Sequence, residues 1–220
     1  MISEKHKFVF IHVPKTGGNS VQTCLLQYSE STKIFDGVDK NGVDHFDLKH
    51  SNFSYTKHSP LRVYEEDLGR EVLRSYYVFT IIRNPWDWCA SWFFHQDKHE
   101  YSKQNFKDFI QQMPALRDYI TIEPVWVREL NRVFKRFGFM KRIYTKGIDG
   151  SVDFFIKFES LESDFNTVLK KLSLPESSLP HINKGSRNAY SQYYDEELRE
   201  LVREKFREEI ALGNYVFDRC

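Results

Sequence analysis

The chain has 220 residues and a formal charge of +1, with 40% hydrophobic and 16% aromatic content; that is enough apolar surface for one substantial core, and too little net charge for a protein held to nucleic acid by its overall field. Cys24, Cys89 and Cys220 are odd in number, far apart and without C-x-x-C spacing, which argues against a disulfide framework or a zinc site and favours a reducing compartment. No apolar stretch approaches the roughly 18 residues needed to cross a bilayer, so the expectation is a complete, soluble cytoplasmic chain forming one domain over residues 1–220.

Lys7 to Val13 is nearly all apolar, the signature of a parallel strand covered on both faces. It ends in Pro14-Lys15-Thr16-Gly17-Gly18, and a helix is predicted from Asn19 to Tyr28 with Val21, Cys24, Leu25 and Tyr28 on one side. Residues 29 to 57 are polar, with Asp36-Gly37 and Asn41-Gly42 turn signals, and predict irregular structure with room for a minor strand. Ser59-Pro60 has the chemistry of an N-cap followed by proline at the first helical position, and Gly69 that of a stop. Tyr76 to Ile82 is a second apolar strand, ending in Arg83-Asn84-Pro85, which opens a helix through Trp86, Trp88, Trp92 and Phe93. Amphipathic pieces follow at Phe106 to Met113 and Val125 to Phe137, then a third strand at Val152 to Phe158 and a helix marked by Leu161, Phe165, Val168, Leu169 and Leu172. One last helix carries Leu198, Leu201, Val202, Phe206 and Ile210 and ends near Gly213. Strands alternating with helices predict an α/β fold, a mainly parallel central sheet between two helical layers.

Ligands of open parallel sheets gather at the carboxyl ends of the strands, and both special turns lie there. In the first, adjacent glycines let the backbone approach a ligand, the helix start carries partial positive charge, Lys15 adds a full charge, and Thr16, Asn19 and Ser20 add donors. This is not the G-x-x-x-x-G-K-[ST] loop of nucleotide triphosphatases, because the lysine precedes the glycines. The second turn offers Arg83, whose guanidinium suits bidentate phosphate contact, and Ser91, two helical turns on, can return to the same face. Pairing of Arg83 with a neighbouring carboxylate is the structural alternative.

Val13-Pro14-Lys15-Thr16-Gly17-Gly18-Asn19-Ser20, with Ile82-Arg83-Asn84-Pro85 and Ser91, resembles the sulfotransferases that use 3′-phosphoadenosine 5′-phosphosulfate. The resemblance is greatest to the carbohydrate branch that includes the heparan sulfate 2-O- and 6-O-sulfotransferases. It extends to Phe158-Glu159-Ser160-Leu161-Glu162-Ser163-Asp164-Phe165, to Leu179-Pro180-His181-Ile182-Asn183 and to Tyr193-Tyr194-Asp195. It implies a P-loop-like three-layer α/β/α fold and sulfuryl transfer to an acceptor hydroxyl, in line, without a metal. It also implies that Lys15, Thr16, Gly17, Gly18, Asn19 and Ser20 hold the 5′-phosphosulfate, and Arg83 and Ser91 the 3′-phosphate. By analogy with the family's Lys-Gly loop, Lys184 and Arg187 help hold the 3′-phosphate, with a solvated loop as the alternative.

Such a transfer needs a base for the acceptor proton and positive charge at the leaving oxygen, the second of which suits Lys15. Among eight histidines, His58 precedes the expected Ser59-Pro60 helix start, where the dipole keeps an imidazole neutral, and its place between the two strand-loop motifs looks like that of the family's catalytic histidine. His50 is the reserve candidate, and His12, inside a strand, reads as a hydrogen-bonded core residue. Glu159 reads as a structural or helix-start carboxylate. Arg128, Arg132, Lys135, Arg136, Lys141, Arg142 and Lys146 form a basic run that either guides an anionic acceptor or is a solvated face. The resemblance favours a carbohydrate hydroxyl or a glycan precursor as acceptor, and the small net charge favours no nucleic-acid partner. The rival readings are a P-loop kinase or NTPase and a nucleotide-binding module without transfer.

Overall fold

The computed structural model describes residues 1–38, 44–96, 101–123, 125–136, 152–180 and 189–218. In chain order its strands are β1 (Ile2–Ser3), β2 (Phe8–Ile11), β3 (Thr32–Val38), β4 (Asp44–Lys49), β5 (Tyr77–Ile82) and β6 (Phe154–Lys157). The helices are α1 (Gly18–Leu25), α2 (Leu61–Leu68), α3 (Arg70–Leu73), α4 (Pro85–Phe93), α5 (Lys103–Gln112), α6 (Arg117–Ile120), α7 (Val125–Arg136), α8 (Leu161–Lys171), α9 (Glu196–Lys205) and α10 (Arg207–Gly213). Lys184, Arg187, His181, Lys141, Arg142, Lys146 and Cys220 lie outside the described residues.

The central sheet has the order β1-β2-β5-β6. β2, β5 and β6 run parallel, and β1 closes one edge antiparallel to β2. Successive strand side chains point to opposite faces, yet Phe8, Val9, Phe10 and Ile11 are all fully buried, so both faces of β2 are covered by helical layers. Phe79 of β5 stacks on Phe10 at 5.2 Å between ring centroids and leans on Phe8 at 5.9 Å. Burying side chains of this size contributes about 1.5–3 kcal/mol each, which is why a four-residue strand can anchor the fold. The mainly parallel α/β arrangement expected from the alternation is the one observed.

Three local expectations are corrected. The polar segment after residue 29 holds a second sheet, the antiparallel hairpin β3-β4. Its register shifts between Phe35 and Gly37, where Gly37 adopts φ 119, so the Asp36-Gly37 pair makes a bulge within a strand and not the turn that ends one. Ser59 does not cap a helix. Its Oγ accepts from the Thr56 amide at 2.8 Å, closing a turn backwards, and α2 starts one residue later than expected, with Pro60 at the N-cap position. The last helix is two, broken at Phe206 (φ −109, ψ 28). The break lets the buried Phe206 ring meet Trp88 at 5.6 Å and turns the Glu209 carboxylate inward to accept from the Leu116 amide at 2.8 Å; burial outweighs the continuous helical periodicity of the segment.

Candidate active site

Three parallel strand ends converge on one place. After β2 the backbone turns through Lys15 (φ 66) and Gly17 (φ 83), both left-handed, and the Thr16 hydroxyl donates to the Val13 carbonyl at 2.7 Å to tighten the loop. Gly17 then occupies the N-cap position of α1, which has no side-chain cap bond and no acid in its first turn. The first amides of a helix lack internal partners, so this terminus is suited to an anion. Asn19 Oδ1 is buried at the same helix start without a hydrogen-bond partner.

After β5, Asn84 accepts from the Trp86 amide at 3.1 Å, and Pro85 sets the first turn of α4, as the N-cap chemistry predicted. Arg83 joins the two turns. Its Nη1 donates to the Lys15 carbonyl at 2.8 Å and to Ser91 Oγ at 3.1 Å, while Nε donates to Asp87 Oδ2 at 2.6 Å. The guanidinium also lies 4.0 Å over the Phe158 ring, which comes from the end of β6. The sequence reading thus holds in bringing Arg83 and Ser91 together beside the lysine loop, and its structural alternative holds as well, because Asp87 pairs with the arginine. Asp87, four residues on, was within reach of a helical i, i+4 reading; Phe158 was not. Glu159, at the same strand end, accepts from the Asn84 amide at 2.8 Å and from Tyr215 Oη at 3.0 Å, a helix-start hydrogen bond as expected. Trp88 donates from its indole to the Pro14 carbonyl at 2.8 Å, fixing the loop from the α4 side.

The histidines resolve into different settings. His12 is a hydrogen-bonded buried residue, 3% exposed, with Nδ1 at 2.9 Å from Gln22 Oε1. His58 packs against it, ring centroids 4.4 Å apart, and its Nδ1 lies 3.1 Å from the His12 carbonyl. A carbonyl only accepts, so Nδ1 carries the proton and Nε2 keeps the lone pair. Burial pushes the His58 pKa down to about 4, and Lys57 acts in the same direction. Desolvation is the largest cause of that shift, and α2, whose start was expected beside His58, begins at Leu61. His50 is buried elsewhere, against Phe53 and Tyr55, with Nδ1 accepting from the Asn52 amide at 3.1 Å and Nε2 3.8 Å from Glu4.

Gly18 serves a purpose the sequence did not suggest. A Cβ on it would sit 2.1 Å from His12 Cδ2, so the second glycine makes room for the histidine ring beneath the loop. Of the basic run, Arg132 pairs with Glu129 at 2.7 Å on an exposed face. Trp86 and Trp88 belong to the core.

Parallel strands whose ends meet at a helix start without a side-chain cap define an α/β protein with a place suited to an anion at the carboxyl edge of its sheet. The model of the sulfotransferase family matches residues 1–216, nearly the whole chain, and the chain belongs to that family. It is accordingly a transferase that moves a sulfuryl group, and the carbohydrate branch indicated by its motifs is consistent with the family. No match was found among curated proteins or among solved structures. Among the described residues, no helix is long and apolar enough to cross a membrane.

Proposed function

We propose that this sulfotransferase takes its sulfuryl group from 3′-phosphoadenosine 5′-phosphosulfate and delivers it in line to a hydroxyl of a carbohydrate or glycan precursor, with His58 as the base. The observation that carries the reading is the Arg83 guanidinium, which bonds at once to the Lys15 carbonyl and to Ser91 and so makes one site of two turns. The chemistry of the donor set fits a ligand with two anionic ends. Lys15, Thr16, Gly17, Gly18, Asn19, Ser20 and the first amides of α1 suit the 5′-phosphosulfate; Arg83 and Ser91 suit the 3′-phosphate, with Lys184 and Arg187 as further contacts from outside the described residues. Asn19 Oδ1 is a buried acceptor without a partner at the same helix start; an ionised phosphosulfate brings no hydrogen to it, so the contact of Asn19 with that group falls to its Nδ2 donor.

When bound, the donor supplies an activated sulfuryl group. His58 Nε2, unprotonated because Nδ1–H is engaged by the His12 carbonyl, accepts the proton of the acceptor hydroxyl. The Lys15 ammonium and the first amides of α1 meet the negative charge that gathers opposite the attacking oxygen, where donors discriminate transition state from ground state. We take residues 1–220 as one catalytic unit, working in the cytoplasm, where Cys24 and Cys89 remain free thiols.

The test is binding of 3′-phosphoadenosine 5′-phosphate against ATP and ADP by calorimetry and thermal shift. The 3′-phosphorylated nucleotide at a hundredfold excess over its Kd should stabilise the fold by about 2.7 kcal/mol. Preference for ATP, with magnesium-dependent phosphoryl transfer, would replace this donor. An unchanged Kd in a Lys184→Ala, Arg187→Ala double variant would remove those two residues from the site.

A further inference from the structure

Gln22 lies four residues after Gly18, one turn into α1, and is fully buried. Its carboxamide makes two contacts. Nε2 is 3.3 Å from the Lys57 carbonyl, and Oε1 is 2.9 Å from His12 Nδ1. Because a carbonyl oxygen only accepts, the Lys57 contact identifies the NH2 end of the amide; Oε1 then faces His12, and His12 Nδ1 must be the protonated nitrogen. One side chain thus sets the tautomer of His12 and grips the peptide that leads into His58.

We propose that Gln22 is a positioning residue that holds His58 in register with the anion loop. It projects from the helix whose first turn forms that loop, and both of its partners touch or adjoin His58: the His12 ring packs against it, and Lys57 precedes it in the chain. A leucine would fill the same buried space without the cost of desolvating an amide, whereas the amide supplies an acceptor to the His12 ring and a donor to the Lys57 carbonyl, two groups far apart in sequence. The charged and titratable groups around the pair are the Lys57 ammonium, the Asp47 carboxylate and the Met1 amino group, whose pKa burial lowers to about 4, and none of them is altered by a change at Gln22. The role assigned to His58 rests on the proposed function; the amide lock itself does not.

The experiment uses the full chain labelled with 15N in histidine, read by long-range proton–nitrogen correlation, with 3′-phosphoadenosine 5′-phosphate as the probe. In the wild type, His12 and His58 should both be neutral Nδ1–H tautomers at pH 7, and nucleotide binding at the loop should shift the His58 Nε2 resonance. Gln22→Leu should give His12 a mixture of tautomers and cut the nucleotide-induced shift at His58 at least twofold, with nucleotide Kd changed less than threefold. Gln22→Glu keeps the shape and the acceptor but loses the donor to Lys57; it should raise the His12 pKa by one unit or more and also weaken the coupled shift. An Nε2–H tautomer at His12 in the wild type overturns the proposal without any variant, which keeps it testable if Gln22→Leu fails to fold. Unchanged tautomers and titrations in both variants overturn it as well. If the wild type does not bind the nucleotide, the donor assignment fails, and the tautomers still decide the lock.

Discussion

Lys15 holds a left-handed backbone at φ 66, which a non-glycine residue adopts at a cost of roughly 1–3 kcal/mol unless its surroundings impose it. The Arg83 bond to its carbonyl is such an imposition, and it fixes the backbone from which the ammonium projects. Lys15→Ala should lower turnover about a hundredfold at saturating donor, the scale of losing one donor at a developing charge; turnover within twofold of wild type would remove the side chain from the mechanism. His58 adds a pH signature. With its pKa pushed down to about 4, kcat/KM should rise with pH through that region as the imidazole loses its proton. His58→Ala should abolish this limb and His50→Ala retain it; the reverse pattern would transfer the role to His50. Gly18→Ala places a methyl against the His12 ring and should cost about 1–3 kcal/mol of stability by denaturant titration, the range for overpacking a filled site. The glycine pair was legible as a phosphate loop from its residues alone. That its second member accommodates the ring of His12, six residues earlier and just past the end of β2, was not, because the ring's direction depends on its bond to Gln22.

At the scale of elements, α4 was readable almost to the residue. Asn84, Pro85 and the apolar run before them are local signals, and the cap bond to the Trp86 amide is made within three residues. Asn84→Ala should lower stability by about 1 kcal/mol for the cap, and further through the lost Nδ2 bond to the Val216 carbonyl. A change in denaturation midpoint too small to measure would show that Glu159, which engages the Asn84 amide, holds the helix start alone. The hairpin β3-β4 and the break at Phe206 were not readable. A bulge and a helix break here answer to cross-strand register and to burial against Trp88 and Leu116, partners remote in sequence.

For the whole molecule, one buried histidine, His12, and one half-buried, His58, sit beside the lysine loop. Both have folded pKa values below the ordinary 6.5, His12 well below and His58 at about 4, each chiefly through burial. Between these values and 6.5 the unfolded chain binds protons that the folded chain does not, so stability should fall as pH drops below 6.5, by up to about 1.4 kcal/mol per pH unit for each group. Urea titrations between pH 7 and 5 check this, and His12→Asn should flatten the slope if it folds. Chain order, the three parallel strands, the lysine-before-glycine loop and the arginine turn were determined by the sequence alone, because apolar runs, caps and glycine pairs act over a few residues. Only the tertiary structure decided that Asp87 and Phe158 hold Arg83, that Gly18 accommodates His12, and that burial keeps His58 neutral. Those contacts depend on which side chains meet when separate strand ends are brought within a few ångströms, and desolvation exists only once the core has closed around them.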